Sequence, residues 1–202
     1  MKQRITIEEY NIKWESEFNK LQTLINDVME DSILSIEHVG STSIKGLAAK
    51  PVLDIDIVIE DYGFFPKVVT KLGAIGYYHQ AEWSYKGREA FGRKDAFVPW
   101  DGESTDWMEH HLYVCDKESE ELRRHIAFRD YLREYEDVAV EYGHLKEELA
   151  RETKSRTSYS EGKTAFITNI LRKDKLRRHG IHAAYSFEIE RCHYKTNTNW
   201  PC

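Results

Sequence analysis

The stretch Glu37-His-Val-Gly-Ser-Thr-Ser-Ile-Lys-Gly-Leu-Ala-Ala-Lys-Pro-Val-Leu-Asp-Ile-Asp-Ile-Val-Ile59 decides how this 202-residue chain is read. An apolar run closes on Val39, and Gly40 permits a tight turn with φ > 0. Ser41, Thr42 and Ser43 then offer side-chain caps to a short helix whose first N–H groups can hold an anion. Leu53 to Ile59 follows as a second strand. Side chains alternate along a strand, so Asp54 and Asp56 share one face roughly 7 Å apart while Ile55 and Ile57 turn to the core. Two carboxylates this close repel, and a divalent cation between them is the readiest way to sustain the pair.

Outward from this segment the pattern is alternately helical and extended. Upstream, Trp14, Phe18, Leu21, Ile25 and Val28 recur at 4-3-4-3 spacing, which predicts one apolar stripe along a helix. Ile33 to Val39 is the expected first strand, with Glu37 and His38 on opposite faces. Downstream, Asp61-Tyr-Gly turns the chain into a helix from Phe64 to Leu72, with Gly73 as its expected stop. An extended segment begins at Gly76, a polar loop spans Glu82 to Arg88, and a strand is predicted from Ala90 to Val98. After a loop from Trp100 to Glu109, His110 to Cys115 reads as a strand. There His111 and Tyr113 share the face opposite Leu112 and Val114. From Asp116 onward the period is helical. Leu122, Ile126 and Leu132 mark one helix, and Val138, Tyr142, Leu145 and Leu149 a second. A third is capped from Ser158 and carries Phe166, Ile167, Ile170 and Leu171.

The pair Gly40-Ser41, followed after twelve residues by Asp54-Ile-Asp56-Ile, resembles the signature of the nucleotidyltransferase superfamily with its polymerase-beta-like fold. The wider wording resembles the GrpB family within it. That wording is His38-Val-Gly-Ser-Thr-Ser-Ile, Gly46-Leu, Ala49-Lys-Pro and Leu53-Asp-Ile. The likeness extends to Trp14 and Phe18, His111-Leu-Tyr-Val, Phe128-Arg-Asp-Tyr-Leu and Lys163-Thr-Ala-Phe-Ile, about residues 5–173. It implies an α/β (α+β) fold: a mixed β-sheet flanked by helices, with a helical C-terminal part. One domain then covers residues 1–180, with a core over 30–116 and helices over 117–176. The tail 181–202 lies beyond the resemblance, and its Cys192, His193 and Cys202 with His182 match no zinc spacing.

The activity implied is transfer of a nucleoside monophosphate from a nucleoside triphosphate, with ATP the expected donor, to an acceptor that the sequence leaves unnamed. In that reading Gly40, Ser41 and Thr42 approach the phosphates through the backbone, and Asp54 and Asp56 hold Mg²⁺. Lys45, Lys50, Arg93 and Lys163 neutralise phosphate charge, with Arg88 and Lys94 near Arg93 in the same basic patch. The superfamily usually draws a third carboxylate from a neighbouring strand. Here the matching place offers His111, a candidate general base, metal ligand or partner of an aspartate. A non-catalytic nucleotide-binding or regulatory module of the same fold is the rival reading, and an interaction domain built on the helical half is a third. A kinase is disfavoured because the G-x-x-x-x-G-K-[ST] phosphate loop is absent.

Composition narrows the setting. A net charge of −6 argues against a protein that coats nucleic acid, although Arg123-Arg124 and Arg172 to Arg178 are local basic clusters. No apolar run approaches the roughly 20 residues of a membrane helix. With three widely spaced cysteines and no secretory leader, a reducing cytoplasm is the expected compartment. The expected partners are a nucleotide and its acceptor, with a homodimer also compatible.

Overall fold

A computed structural model describes residues 5–153 and 155–178. The predicted tail, with its cysteines and histidines, lies outside the described residues. The sheet is built from β1 (Ser35–Val39), β2 (Leu53–Ile59), β3 (Tyr77–His79), β4 (Glu89–Arg93) and β5 (His110–Asp116) in the order β1-β2-β5-β4-β3. β2 pairs antiparallel with β1 and parallel with β5, and β4 is antiparallel to both β5 and β3. This is the mixed sheet expected, although the strand predicted over Ala90 to Val98 ends at Arg93 and the first strand begins at Ser35.

One face of the sheet is apolar because β2 alternates. Leu53, Ile55, Ile57 and Ile59 are all buried and pack with Leu112 and Val114 of β5 against α1 (Lys13–Met29) and α2 (Phe65–Ala74). Each such side chain contributes roughly 1.5–3 kcal/mol of hydrophobic free energy. The α1 stripe buries Trp14, Phe18, Leu21 and Ile25 as predicted, but its last member is Met29, and Val28 is only half-buried. α2 runs through Gly73, where a stop was expected, and the chain turns instead at Gly76 with φ 98°. A helix tolerates an interior glycine at about 1 kcal/mol, whereas the left-handed turn requires one.

The other face is covered by α3 (Glu120–Glu134), beside which lie α4 (Glu136–Glu152) and α5 (Arg156–Arg178). Ser119 caps α3 by accepting from the Leu122 amide at 3.2 Å, and only the non-helical Tyr135 separates α3 from α4. The cap of α5 is Ser155, which accepts from the Ser158 amide at 3.1 Å, three residues before the position predicted. A second core, including Phe128, Leu132, Tyr142, Ile167 and Ile170, takes in Ile44 and Leu47 from the loop between β1 and β2. These two side chains tie that loop to the helices, so the segment that decides the fold lies between sheet and helical part. No helix among the described residues is long and apolar enough to cross a membrane.

Candidate functional site

The corner at the end of β1 is shaped by one glycine. Gly40 has φ 68°, and its predecessor Val39 lies opposite Asp54 in the strand register. A Cβ on Gly40 would stand 2.1 Å from Asp54 Oδ2, so only a bare backbone can lie against this carboxylate. The short helix predicted after Gly40 is a single 3-10 turn over Ser41–Ser43. Its hydrogen bonds run from the Ser43 and Ile44 amides to Gly40 O and Ser41 O, both at 3.3 Å. Thr42 Oγ1 donates to Val52 O at 3.3 Å, and His38 Nε2 meets the same hydroxyl at 3.0 Å, so His38 is the donor of that second bond. His38 also stacks on Phe18 with ring centroids 4.5 Å apart. Thr42 therefore braces the corner from behind and does not face the cleft.

The two aspartates have different surroundings. Asp54 neighbours His111 across the parallel pair, and its Oδ1 takes His111 Nδ1 at 2.9 Å. Asp56 is 0% exposed because α3 lies over it, and its Oδ2 takes His125 Nδ1 at 2.7 Å. Arg129, one turn further along α3, donates to Glu37 Oε2 at 2.8 Å and His38 O at 3.2 Å. The expectation that Asp54 and Asp56 share a face is thus met in the backbone, but only Asp54 reaches the cleft wall.

That cleft has a volume of about 350 Å³. The sheet contributes Asp54, Glu109 and His111, the β1–β2 loop contributes Ser41 and Lys50, and the helices contribute Lys146, Arg156, Tyr159 and Lys163. Lys146 is only 2% exposed, donates to Ala48 O and lies 4.8 Å from the Tyr142 ring centroid. Burial, then the neighbouring Lys163 charge, brings its ammonium down to about 7. Tyr159 lies under two ammonium groups, Lys50 Nζ at 5.0 Å and Lys163 Nζ at 4.7 Å from its ring centroid. Burial raises the pKa of the Tyr142 hydroxyl.

Of the residues singled out from sequence, Ser41, Lys50, Asp54, His111 and Lys163 meet in this cleft, with Gly40 against Asp54. Lys45 is exposed and lines no part of it. Arg93 stands one residue back, its guanidinium paired with Glu109 at 2.9 Å. Arg88 is buried against the rings of Tyr113 and Tyr85, 4.1 and 4.6 Å from the centroids. Sequence reasoning missed Glu109, Lys146, Arg156 and His125. Two of these carried a signal. Glu109 precedes His111 by two, which puts it on the same strand face, and Lys146 follows Tyr142 by four, on the inward stripe of its helix.

The histidines divide by charge state. Burial pushes His38 down to about 4 against the pull of Asp54, and burial likewise brings His110 to about 4. His125 goes the other way. Burial opposes its charge most strongly, but the Asp56 carboxylate and its hydrogen bond, with Glu121, together raise it. For a base depressed by folding, the unfolded chain binds the extra proton, so the stability held above pH 6.5 is lost as pH falls toward about 4. The full span is worth on the order of 3 kcal/mol for His38. For His125 the contribution is complete below pH 6.5 and disappears as pH rises through its elevated value. Thermal melting should therefore show His125→Gln losing most at pH 6 and progressively less toward pH 9, while His38→Gln flattens the acid limb. A constant difference at every pH would contradict both assignments.

Comparison with known proteins agrees with this architecture. The sequence model of the family described as "GrpB protein" matches residues 4–173. The glutamate-rich protein GrpB of Alkalihalophilus pseudofirmus is 30% identical over 172 residues, 84% of this chain and 95% of that protein. The UPF0157 protein YqkA of Bacillus subtilis is 30% identical over 167 residues, but the chain spans only 46% of its length. Among solved structures, conserved protein GrpB from Enterococcus faecalis superimposes with a TM-score of 0.70 at 29% identity, over 87% of this chain and 99% of that one. Cid1 in complex with the UTP analogue UMPNPP superimposes with a TM-score of 0.51 at 10% identity, over 77% and 48%. At that identity the likeness is one of fold: this chain has the nucleotidyltransferase fold.

Proposed function

This chain belongs to the GrpB family, and on that premise we propose that it is a nucleotidyltransferase moving a nucleoside monophosphate from a nucleoside triphosphate to an acceptor hydroxyl. One observation carries the reading: a side-chain-free corner at Gly40 is seated on Asp54 at the edge of a cleft whose far wall is cationic. Lys50, Lys146, Lys163 and Arg156 supply up to four positive charges to a polyphosphate. The Ser41 and Thr42 amides are not used in the hydrogen bonds of the turn itself, and they point the reading toward the same anion.

The donor set suits one Mg²⁺. Asp56 Oδ1 is buried and has no hydrogen-bond partner among the described residues, as befits a carboxylate oxygen whose counterpart is a cation. No group of three or more His, Cys, Asp or Glu among the described residues is placed to hold a metal alone. Mg²⁺ is commonly held by one or two carboxylates together with substrate phosphates, and Asp54 and Asp56 are the pair here. When bound, the ion supplies charge neutralisation at the α-phosphate and leaving group. His111, fixed through Nδ1 by Asp54, is the base for the acceptor proton, and the same carboxylate stabilises the imidazolium that results. As the acceptor oxygen bonds to the α-phosphorus, the bond from that phosphorus to the bridging oxygen breaks and pyrophosphate leaves. Glu109, held by Arg93, supplies a second cleft carboxylate close to His111 in the strand.

The burial of Asp56 under His125, with His111 where a carboxylate is usual, favours a second reading, a nucleotide-binding module without turnover. Melting and pyrophosphate assays separate the two. With ATP and Mg²⁺ at a hundred times Kd, mass action stabilises by about 2.7 kcal/mol, a rise of roughly 5–10 °C. That rise with pyrophosphate released over some acceptor supports the transferase. The rise without pyrophosphate supports the module, and no rise removes both.

A further inference from the structure

Resting on the reading that this cleft takes a triphosphate, we infer that it selects the triphosphate chain and is indifferent to the nucleobase. The ligand class is then any Mg²⁺-bound triphosphate, with or without a nucleoside. Reading a base takes either an open aromatic face or polar groups aimed at its edge. Apart from the imidazole of His111, which is bound to Asp54, the only ring lining the cleft among the described residues is Tyr159. It is 2% exposed and lies under the ammonium groups of Lys50 and Lys163, so it offers no face for stacking.

Polar groups fare no better. Apart from the Ser41 and Thr42 amides, already given to the phosphates, these backbone groups along the wall bond within the protein: Ala48 O to Lys146, Ala49 N and O to Glu8, Lys50 O to the Val52 amide, and Val52 O to Thr42. The Ser41 hydroxyl stands at the Gly40 corner proposed for the phosphates, and Glu109 is paired with Arg93. No carboxamide side chain lines the cleft among the described residues. What remains is charge from three lysines and an arginine, which any triphosphate satisfies equally. A site with no polar group committed to the base has nothing left unpaired by the wrong one, so the steep discrimination such groups give is lost.

The test is calorimetric binding of ATP, GTP, CTP, UTP and inorganic tripolyphosphate to the full chain with Mg²⁺. The four nucleotides should agree within about threefold and tripolyphosphate lie within about tenfold of them, the spread left when hydrogen-bond readout is missing. Lys50→Met should weaken all five by a common factor. A preference above about tenfold for one base, or nucleotides binding where tripolyphosphate does not, overturns the inference but leaves the triphosphate reading intact. No binding by any of the five overturns both.

Discussion

Asp54→Asn lowers pyrophosphate release by at least about a thousandfold while leaving the melting temperature nearly unchanged. The loss follows in the proposed site because Asp54 holds His111 through Oδ1 and would hold the cation through its remaining oxygen, and an amide serves neither in the same way. The fold is spared because this side chain stands at the cleft wall and an isosteric amide keeps a carbonyl oxygen for His111. Asp56→Asn is the contrasting control. Its carboxylate is wholly buried against His125, and breaking one partner of a buried pair costs about 3–5 kcal/mol. That variant loses stability together with turnover. Kinetics and melting on the two variants, measured side by side, check the distinction. Equal melting losses with equal residual activity would show that the two aspartates are not divided as described.

Gly40→Ala is the second large effect. The new methyl carbon would meet Asp54 Oδ2 at 2.1 Å, and φ 68° is a region that side-chain-bearing residues enter at a cost. Backbone strain of this kind is worth about 1–3 kcal/mol, and the clash is relieved only by moving Asp54 or opening the corner. Displacing a reacting group by about 1 Å commonly costs a hundredfold in rate, so turnover should fall by that factor or more. Melting and turnover of Gly40→Ala beside Gly46→Ala form the assay. Gly46 also has positive φ, but nothing lies within 4 Å of a Cβ placed there. Gly46→Ala reports the strain alone, and Gly40→Ala the strain plus the contact. Equal turnover in both variants would detach Gly40 from the site.

The contrast between the aspartates also marks how far the sequence could be read. Alternation in Leu53–Ile59 and the 4-3-4 stripe of α1 rest on side-chain periodicity, which a linear pattern carries directly, and both elements stand where they were expected. Periodicity reports which face a residue occupies but not which part of that face a later helix covers. Nothing around Asp56 foretells that His125, 69 positions on, closes over it. Part of the cationic wall was hidden for a similar reason. Lys50 and Lys163 stand out in the sequence, but Lys146 lies in a helix dense with charge, and a lysine there reads as solvated until the packing of Tyr142 buries it. The polar run before His110 has no period and reads as a loop, although the Glu109 carbonyl accepts the Leu53 amide at 2.9 Å and so extends the β2–β5 pairing. Arg93 was legible as a basic residue near the site, but its role runs through Glu109.

The most direct measurement is a crystal structure of the chain with Mg²⁺ and a non-hydrolysable ATP analogue. The triphosphate should lie between the Gly40-Ser41 corner and the lysines of the helical wall, with the ion on Asp54 and on Asp56 Oδ1. A nucleotide bound elsewhere on the protein, or seated in this cleft without contact to Asp54, would contradict it.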